Sequence, residues 1–389
     1  MKKNKKNNIP HRRRHSFYYR FLTPLVRIFL KFKFRCKFKK AKNLPENYIV
    51  LSNHATDFDM LFVAMSFRRP MYFVASEHIT RWKKTYNFVR HCFDPIMRYK
   101  GSVASSTVMD ILRRTRKGAN VCIFAEGVRS WDGANSPILP STAKLVKSSG
   151  VGLVTYKLTG GYFASPNWST GRTRKGPIYG APVNVYTKDD LAKMTEEEVY
   201  NIILRDLNEN AYDTQKANPQ KYTGKNLAEG LEYLLFSCPK CSAHDKFSSH
   251  DDTVSCRECG FTFKYNEYGM LENSPYNTVY DFSNWQKTIV ANDVAKGIAY
   301  SAENVKFSTI DKHIKTNLAT ATAKISREGI ECGEYTISLD DITDMAIYGK
   351  HGVVFSAGGK YYELYVPIGA NALKFLLYYN EYITNSSNK

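Results

Sequence analysis

Two Cys-x-x-Cys pairs, Cys238-Pro239-Lys240-Cys241 and Cys256-Arg257-Glu258-Cys259, stand fourteen residues apart in a chain of 389. Pro239 and Gly260 suit tight turns, and two such turns bring four thiolates to the corners of a tetrahedron, the coordination zinc takes in structural sites. Four cysteines close the site, so a metal there holds structure and has no open position for chemistry. Phe261 and Phe263 are candidates for the small core beneath it, with His244 and His250 as spare donors. Cys36, Cys92, Cys122 and Cys332 are scattered. Without a secretory leader this usage fits a reducing compartment.

Charge is as uneven as cysteine. The chain carries a formal net charge of +20, and residues 1–42 supply 16 basic side chains and no acidic one, leaving 40 basic against 36 acidic beyond them. A polyanion-binding element at one end follows. Phe17, Tyr18, Tyr19, Phe21, Leu22, Leu25, Val26, Ile28, Phe29 and Leu30 interleave with its charges, as in helices that lie in a membrane interface. Nucleic-acid arms seldom carry so many aliphatics, and charges balance between residues 238 and 260, which argues against a phosphate-binding ribbon. Pro24 and Arg27 interrupt the apolar run, which argues against a signal peptide, and no stretch reaches the length needed to span a bilayer. The expectation is a peripheral or monotopic protein on the cytoplasmic face of a membrane with anionic lipid.

Further on, short apolar runs alternate with helical patterns. Phe32–Phe38 alternates as a strand with one buried face. Tyr48–Leu51, Met71–Ala75, Val121–Phe124 and Leu153–Leu158 read as buried strands, and Leu191, Val199, Ile203 and Leu207 mark closing helices. Strands separated by helices give a layered, mixed α/β sheet. The expected divisions are 1–30, a basic amphipathic arm; 31–217, the α/β domain; 218–229, a polar linker; 230–272, a zinc ribbon; 273–299, a helical connector; and 300–389, a β-rich domain ending in a helix. The last is similar in outline to pleckstrin-homology-like domains.

Two loops carry candidate chemistry. Asn53-His54-Ala55-Thr56-Asp57-Phe58-Asp59 follows the strand at Tyr48–Leu51. A histidine is a general base near neutral pH if a carboxylate holds its second ring nitrogen, and Asp59 or Asp57 can do so. Phe124-Ala125-Glu126-Gly127-Val128-Arg129-Ser130 follows a second strand and combines a glycine, a carboxylate, a guanidinium and a hydroxyl. Such a loop can bind phosphate and hydroxyl groups, unless Arg129 is spent on an ion pair with Glu126.

In order and spacing these motifs resemble the glycerolipid acyltransferases, in particular 1-acylglycerol-3-phosphate acyltransferase, over roughly residues 30–215. The resemblance implies that His54 and Asp59 activate an acceptor hydroxyl, which attacks the thioester of acyl-CoA or acyl-carrier protein with no acyl-enzyme. It also implies that Glu126, Gly127 and Arg129 bind the glycerol phosphate of a lysophospholipid. 1-Acylglycerol-3-phosphate, giving phosphatidic acid in phospholipid biosynthesis, heads the acceptors, ahead of other lysolipids or polyol lipids. In the family's second motif, Asp94 stands at the glycine position and Lys100 at the arginine position, with Arg98 as a substitute phosphate partner. In the fourth, Gly152 and Thr155 stand where prolines usually flank a strand. The reading from another class is a nucleic-acid-binding or scaffold protein built on the basic arm and the ribbon.

Overall fold

The computed structural model describes residues 12–76, 79–80, 83–98, 105–311 and 314–387. They pack as two units, one from residues 12–98, 105–167 and 173–223, the other from 168–172 and 224–387.

The first unit opens with helix α1 (Arg12–Lys33) and strand β1 (Arg35–Phe38). The strand is shorter than the alternation suggested because the Phe34 amide still donates to Leu30 O at 2.8 Å, extending the helix's hydrogen bonding. Phe34 is fully buried, with its ring edge-on to Phe58 and Phe62. Then follow β2 (Tyr48–Ser52), α2 (Asp59–Ala64), β3 (Met71–Ser76), α3 (Lys83–Phe93), β4 (Ile96–Arg98), α4 (Ser105–Arg116) and β5 (Asn120–Phe124). The unit closes with α5 (Ser141–Ser149), β6 (Gly152–Thr159), α6 (Gly161–Ala164), β7 (Pro177–Tyr186), α7 (Lys188–Lys193), α8 (Glu196–Leu207) and α9 (Ala211–Ala217).

Its seven strands order as β1-β7-β6-β2-β5-β3-β4, parallel except between β6 and β7. Every residue of β2 is buried, as a continuous apolar run in a central parallel strand requires. From β2 the chain crosses past β5 to reach β3, and from β5 it crosses back past β2 to reach β6. Where neighbouring connections run in opposite senses, a crevice opens beyond the carboxyl ends of the strands. Both candidate loops leave from that end.

The helix α1 is part of this core. His15, Tyr19 and Leu30 are buried, and the His15 ring stacks on Tyr72 of β3 at 4.1 Å. Burial pushes the His15 imidazole down to about 4, so it is neutral at physiological pH. Tyr72 also receives the guanidinium of buried Arg114, 4.5 Å from its ring centre.

That same Arg114 accounts for one departure from the family pattern. Asp94 adopts φ +44°, a conformation that favours glycine but that aspartate tolerates, and Arg114 Nη1 donates to both its carbonyl and its carboxylate at 3.0 Å. Gly152 is also locally enforced, since a Cβ there would stand 2.5 Å from Pro45 Cγ and 2.9 Å from the Tyr186 carbonyl. The Thr155 hydroxyl donates at 2.8 Å to Asp206, a buried carboxylate that also accepts from Asn184 and Tyr186. A proline at 155 would remove one member of that network. The replaced residues therefore fit their own surroundings.

The segment expected as a linker is held by packing. Tyr222 is buried and donates to Pro177 O at 3.0 Å, while Leu227 and Ala228 are buried in the second unit.

In the second unit, β8 (Phe247–His250), β9 (Thr253–Cys256), β10 (Thr262–Tyr265) and β11 (Leu271–Glu272) form a four-stranded sheet, followed by helix α10 (Val279–Ala295). Strands β12 (Tyr300–Asp311), β13 (Ile314–Ile325), β14 (Gly329–Cys332), β15 (Tyr335–Ser338), β16 (Thr343–Tyr348), β17 (Gly352–Ala357) and β18 (Lys360–Tyr365) form an antiparallel sheet ordered β15-β14-β13-β12-β18-β17-β16. Helix α11 (Ala372–Ser387) packs Phe375, Tyr378 and Tyr382 into its core.

Candidate active site

Two residues beyond β2, the His54 ring lies on Phe124 at the end of β5, with ring centres 4.4 Å apart. Its Nδ1 is 2.8 Å from Asp59 Oδ2. Asp59 begins α2 and is 1% exposed; its Oδ2 also accepts from the amides of Ala55 at 2.6 Å and Thr56 at 2.9 Å, and its Oδ1 from the Thr56 hydroxyl at 2.6 Å. With its oxygens set to accept from these donors, Asp59 is placed to accept from Nδ1–H as well, and His54 Nε2 has no hydrogen-bond partner among the described residues. Asp59 is thus the orienting carboxylate. Asp57 points elsewhere, with its side chain 75% exposed and Oδ2 at 3.2 Å from Arg129 Nη1.

The second loop braces the first. Glu126 Oε1 accepts from the His54 amide and from Asn135 Nδ2, both at 2.9 Å, and Oε2 accepts from the Ser136 amide at 2.6 Å. Burial pushes this carboxyl up to about 7, against the pull of those three N–H groups. The Ser130 amide donates to His54 O at 3.0 Å. Glu126 therefore fixes the backbone of His54, and Arg129 pairs with Asp57 rather than with Glu126. The second Arg129 nitrogen, Nη2, donates to Asn167 Oδ1 at 2.6 Å.

Gly127 has φ +69°, and a Cβ there would lie 2.9 Å from Arg98 Nη1. The glycine lets the Arg98 guanidinium approach the loop. Lys100 lies outside the described residues. The cavity beside His54, lined in part by Glu126, Ser130, Asn135 and Glu209, measures about 10 Å³, room for about one water. Substrates must meet His54 at its open edge, where the side chain is 21% exposed.

Sequence reading gave no role to Asn53, Thr56, Asn135 or Asn167. Asn53 Nδ2 and Oδ1 bond to the carbonyl and amide of Leu158 on β6, each at 2.8 Å, which anchors the start of the loop. Its place immediately before His54 was the available signal. Nothing local pointed to Asn135 or Asn167, which arrive from later loops.

Residues 35–158 match the Acyltransferase family. This domain belongs to that family. The matched span contains His54, Asp59, Arg98, Glu126, Gly127 and Arg129. No curated protein matches the chain. Among solved structures, the crystal structure of the 1-acyl-sn-glycerophosphate (LPA) acyltransferase from Thermotoga maritima is a distant likeness, with a TM-score of 0.41 and 16% identity over 53% of this chain and 83% of that one. Within the acyltransferase domain, then, two loops from adjacent parallel strands fix one histidine, with Arg129 in the second loop and Arg98 against its Gly127.

The cysteines form a separate cluster in the second unit. All four sulfurs lie within 4.8 Å of one another, with Cys238 to Cys259 at 3.7 Å and Cys241 to Cys256 at 3.8 Å. A tetrahedron with Zn–S of about 2.3 Å has edges of about 3.8 Å, so the spacing fits zinc and is too wide for disulfides of about 2.05 Å. Backbone amides of Lys240, Ala243 and Phe261 donate to the sulfurs of Cys238, Cys241 and Cys259. That donor set suits a charged thiolate cluster. The spare histidines are engaged elsewhere, His244 with Ser237 at 2.8 Å and His250 with Asp251 at 3.3 Å.

Proposed function

We propose that the protein transfers a fatty acyl group from acyl-CoA or acyl-carrier protein to a hydroxyl of a lysophospholipid, with 1-acylglycerol-3-phosphate the leading acceptor and phosphatidic acid its product. The observation that carries this reading is the His54–Asp59 pair, in which Asp59 is saturated with donors and His54 Nε2 is open. The acceptor O–H bond breaks as its proton moves to Nε2, and the oxygen bonds to the acyl carbon. The C–S bond then breaks, and the leaving thiolate takes the proton back from His54. Asp59 stabilises the imidazolium between the two transfers. Arg129 and Arg98 supply cations for the acceptor's phosphate, since a guanidinium fork matches phosphate oxygens. Zinc held by the four cysteines would brace the ribbon.

The test is incubation of the purified protein with acyl-CoA or acyl-carrier protein and a panel of lysolipids, with products identified by mass. Acylated 1-acylglycerol-3-phosphate is the expected product. No product from any acceptor would overturn the reading.

The same proposal places the protein on the cytoplasmic face of an anionic membrane. Among the described residues no helix is long and apolar enough to cross a bilayer. Phe17, Phe21, Leu25, Ile28 and Phe32 are all exposed, and their spacing sets them along one face of α1, with Arg13, Arg20 and Lys31 also exposed on the helix. This pattern suits interfacial docking. Because His15, Tyr19 and Leu30 belong to the core, deleting the helix would damage the fold. Replacing Phe17, Phe21 and Phe32 by serine leaves that core intact and is expected to cut binding to anionic vesicles at least about tenfold. Unchanged flotation of that variant would refute the docking role.

A further inference from the structure

Arg129 is already occupied. Asn167 Oδ1 accepts from Nη2 at 2.6 Å, and the Asp57 carboxylate stands 3.2 Å from Nη1. Asp57 has no other polar partner among the described residues, and its side chain is 75% exposed against 20% for Arg129. It sits two residues before the Asp59 that holds His54. The neutral amide and the free-standing carboxylate thus take the two ends of one guanidinium fork.

We infer that Asp57 is a specificity-determining residue, an internal anion that competes with the acceptor's phosphate for Arg129. The inference rests on the proposed function insofar as Arg129 receives that phosphate. A phosphate can engage the fork fully only by displacing the carboxylate, and the displaced carboxylate remains on the same loop as a nearby negative charge. Paired with Asp57, Arg129 offers no net charge; without it, the arginine is a free cation. Asp57 therefore weakens retention of phosphorylated ligands and narrows the advantage of a dianionic phosphomonoester over an acceptor with less charge. The Asp57 side of the pair is open to solvent, which screens it and lets the carboxylate swing away, so the competition is a tuning effect rather than a block.

The experiment measures the dissociation constants of glycerol 3-phosphate and of inorganic phosphate for the full-length protein by calorimetry at low salt. Wild type, Asp57→Asn, Asp57→Glu, Arg129→Gln and the double variant Asp57→Asn/Arg129→Gln are compared. Asp57→Asn is expected to tighten glycerol 3-phosphate about three- to tenfold, with the gain shrinking as salt rises. Asp57→Glu should return affinity toward wild type. In the Arg129→Gln background the Asp57→Asn gain should vanish. Equal affinity in wild type and Asp57→Asn, absence of binding by either, or the same gain without Arg129 would each overturn the inference. In parallel, Asp57→Asn should lower KM for 1-acylglycerol-3-phosphate. If wild type transfers no acyl group while the binding gain and its dependence on Arg129 hold, the acyltransferase reading fails and the competition stands.

Discussion

Replacing His54 by alanine should lower acyl transfer about 10²- to 10⁴-fold, the usual contribution of a general base. The side chain is partly exposed and its ring contact is with Phe124, so the fold should survive, as circular dichroism and melting temperature would show. The His54 amide keeps its bond to Glu126 whatever the side chain, which preserves the loop. Asp59→Asn is a different experiment. Asp59 accepts from two amides and a hydroxyl besides the ring, and an asparagine cannot accept at both ends, so this variant loses loop order together with the tautomer. If His54 and Asp59 act as one unit, the double variant should be no slower than His54→Ala alone. Rates would be measured with whichever acceptor gives turnover. Activity of His54→Ala above about a tenth of wild type would leave the general-base role without support.

What the sequence made legible was local. The tetrad of cysteines, the buried strands and the spacing from His54 to Asp59 each depend on residues close along the chain, where period and turn chemistry act directly. The choice between Asp57 and Asp59 did not. Both can reach a histidine by spacing, and the decision came from Ala55, Thr56 and the start of α2, which gather their donors around Asp59. Glu126 was read as a ligand-binding group because carboxylate, glycine and arginine occur together. Within the fold it accepts from the His54 amide 72 residues before it, the Ser136 amide 10 after it and the Asn135 side chain, contacts that periodicity does not register. The strand at Phe32–Phe38 began late for a similar reason, since the Phe34 amide continues the hydrogen bonding of α1 and its ring is buried on Phe58 and Phe62, contacts that the alternation does not register.

The replaced family positions follow the same logic. Asp94, Gly152 and Thr155 looked like losses when only the motif was in view. Their partners are Arg114, Pro45 and Asp206, and each partner is far enough along the chain to be invisible to a motif. Such compensation concerns the scaffold around the strands. It leaves the question of the acceptor to Arg98, Arg129 and the carboxylate at Asp57.

If the four cysteines hold zinc, its removal should have the largest effect on stability. The sheet β8–β11 is small, and its buried apolar residues are chiefly Phe247, Val254, Phe263, Tyr265 and Leu271, with Phe282 of α10 against Phe247 and Phe263. A core of that size seldom holds a fold by itself. Structural zinc in comparable small modules contributes about 10 to 16 kcal/mol of apparent binding free energy at neutral pH, well above what so few side chains supply. Metal analysis should therefore find about one zinc per chain. A strong chelator, or Cys241→Ser together with Cys259→Ser, should release it and expose the amides of residues 238–272 to rapid hydrogen exchange. Paired disulfides are the competing explanation of the cluster, and the non-reducing mass separates them, since each disulfide removes two hydrogens. A metal-free protein with those amides still protected would mean that the sulfurs stand 3.7 to 3.8 Å apart for some reason other than a shared ion.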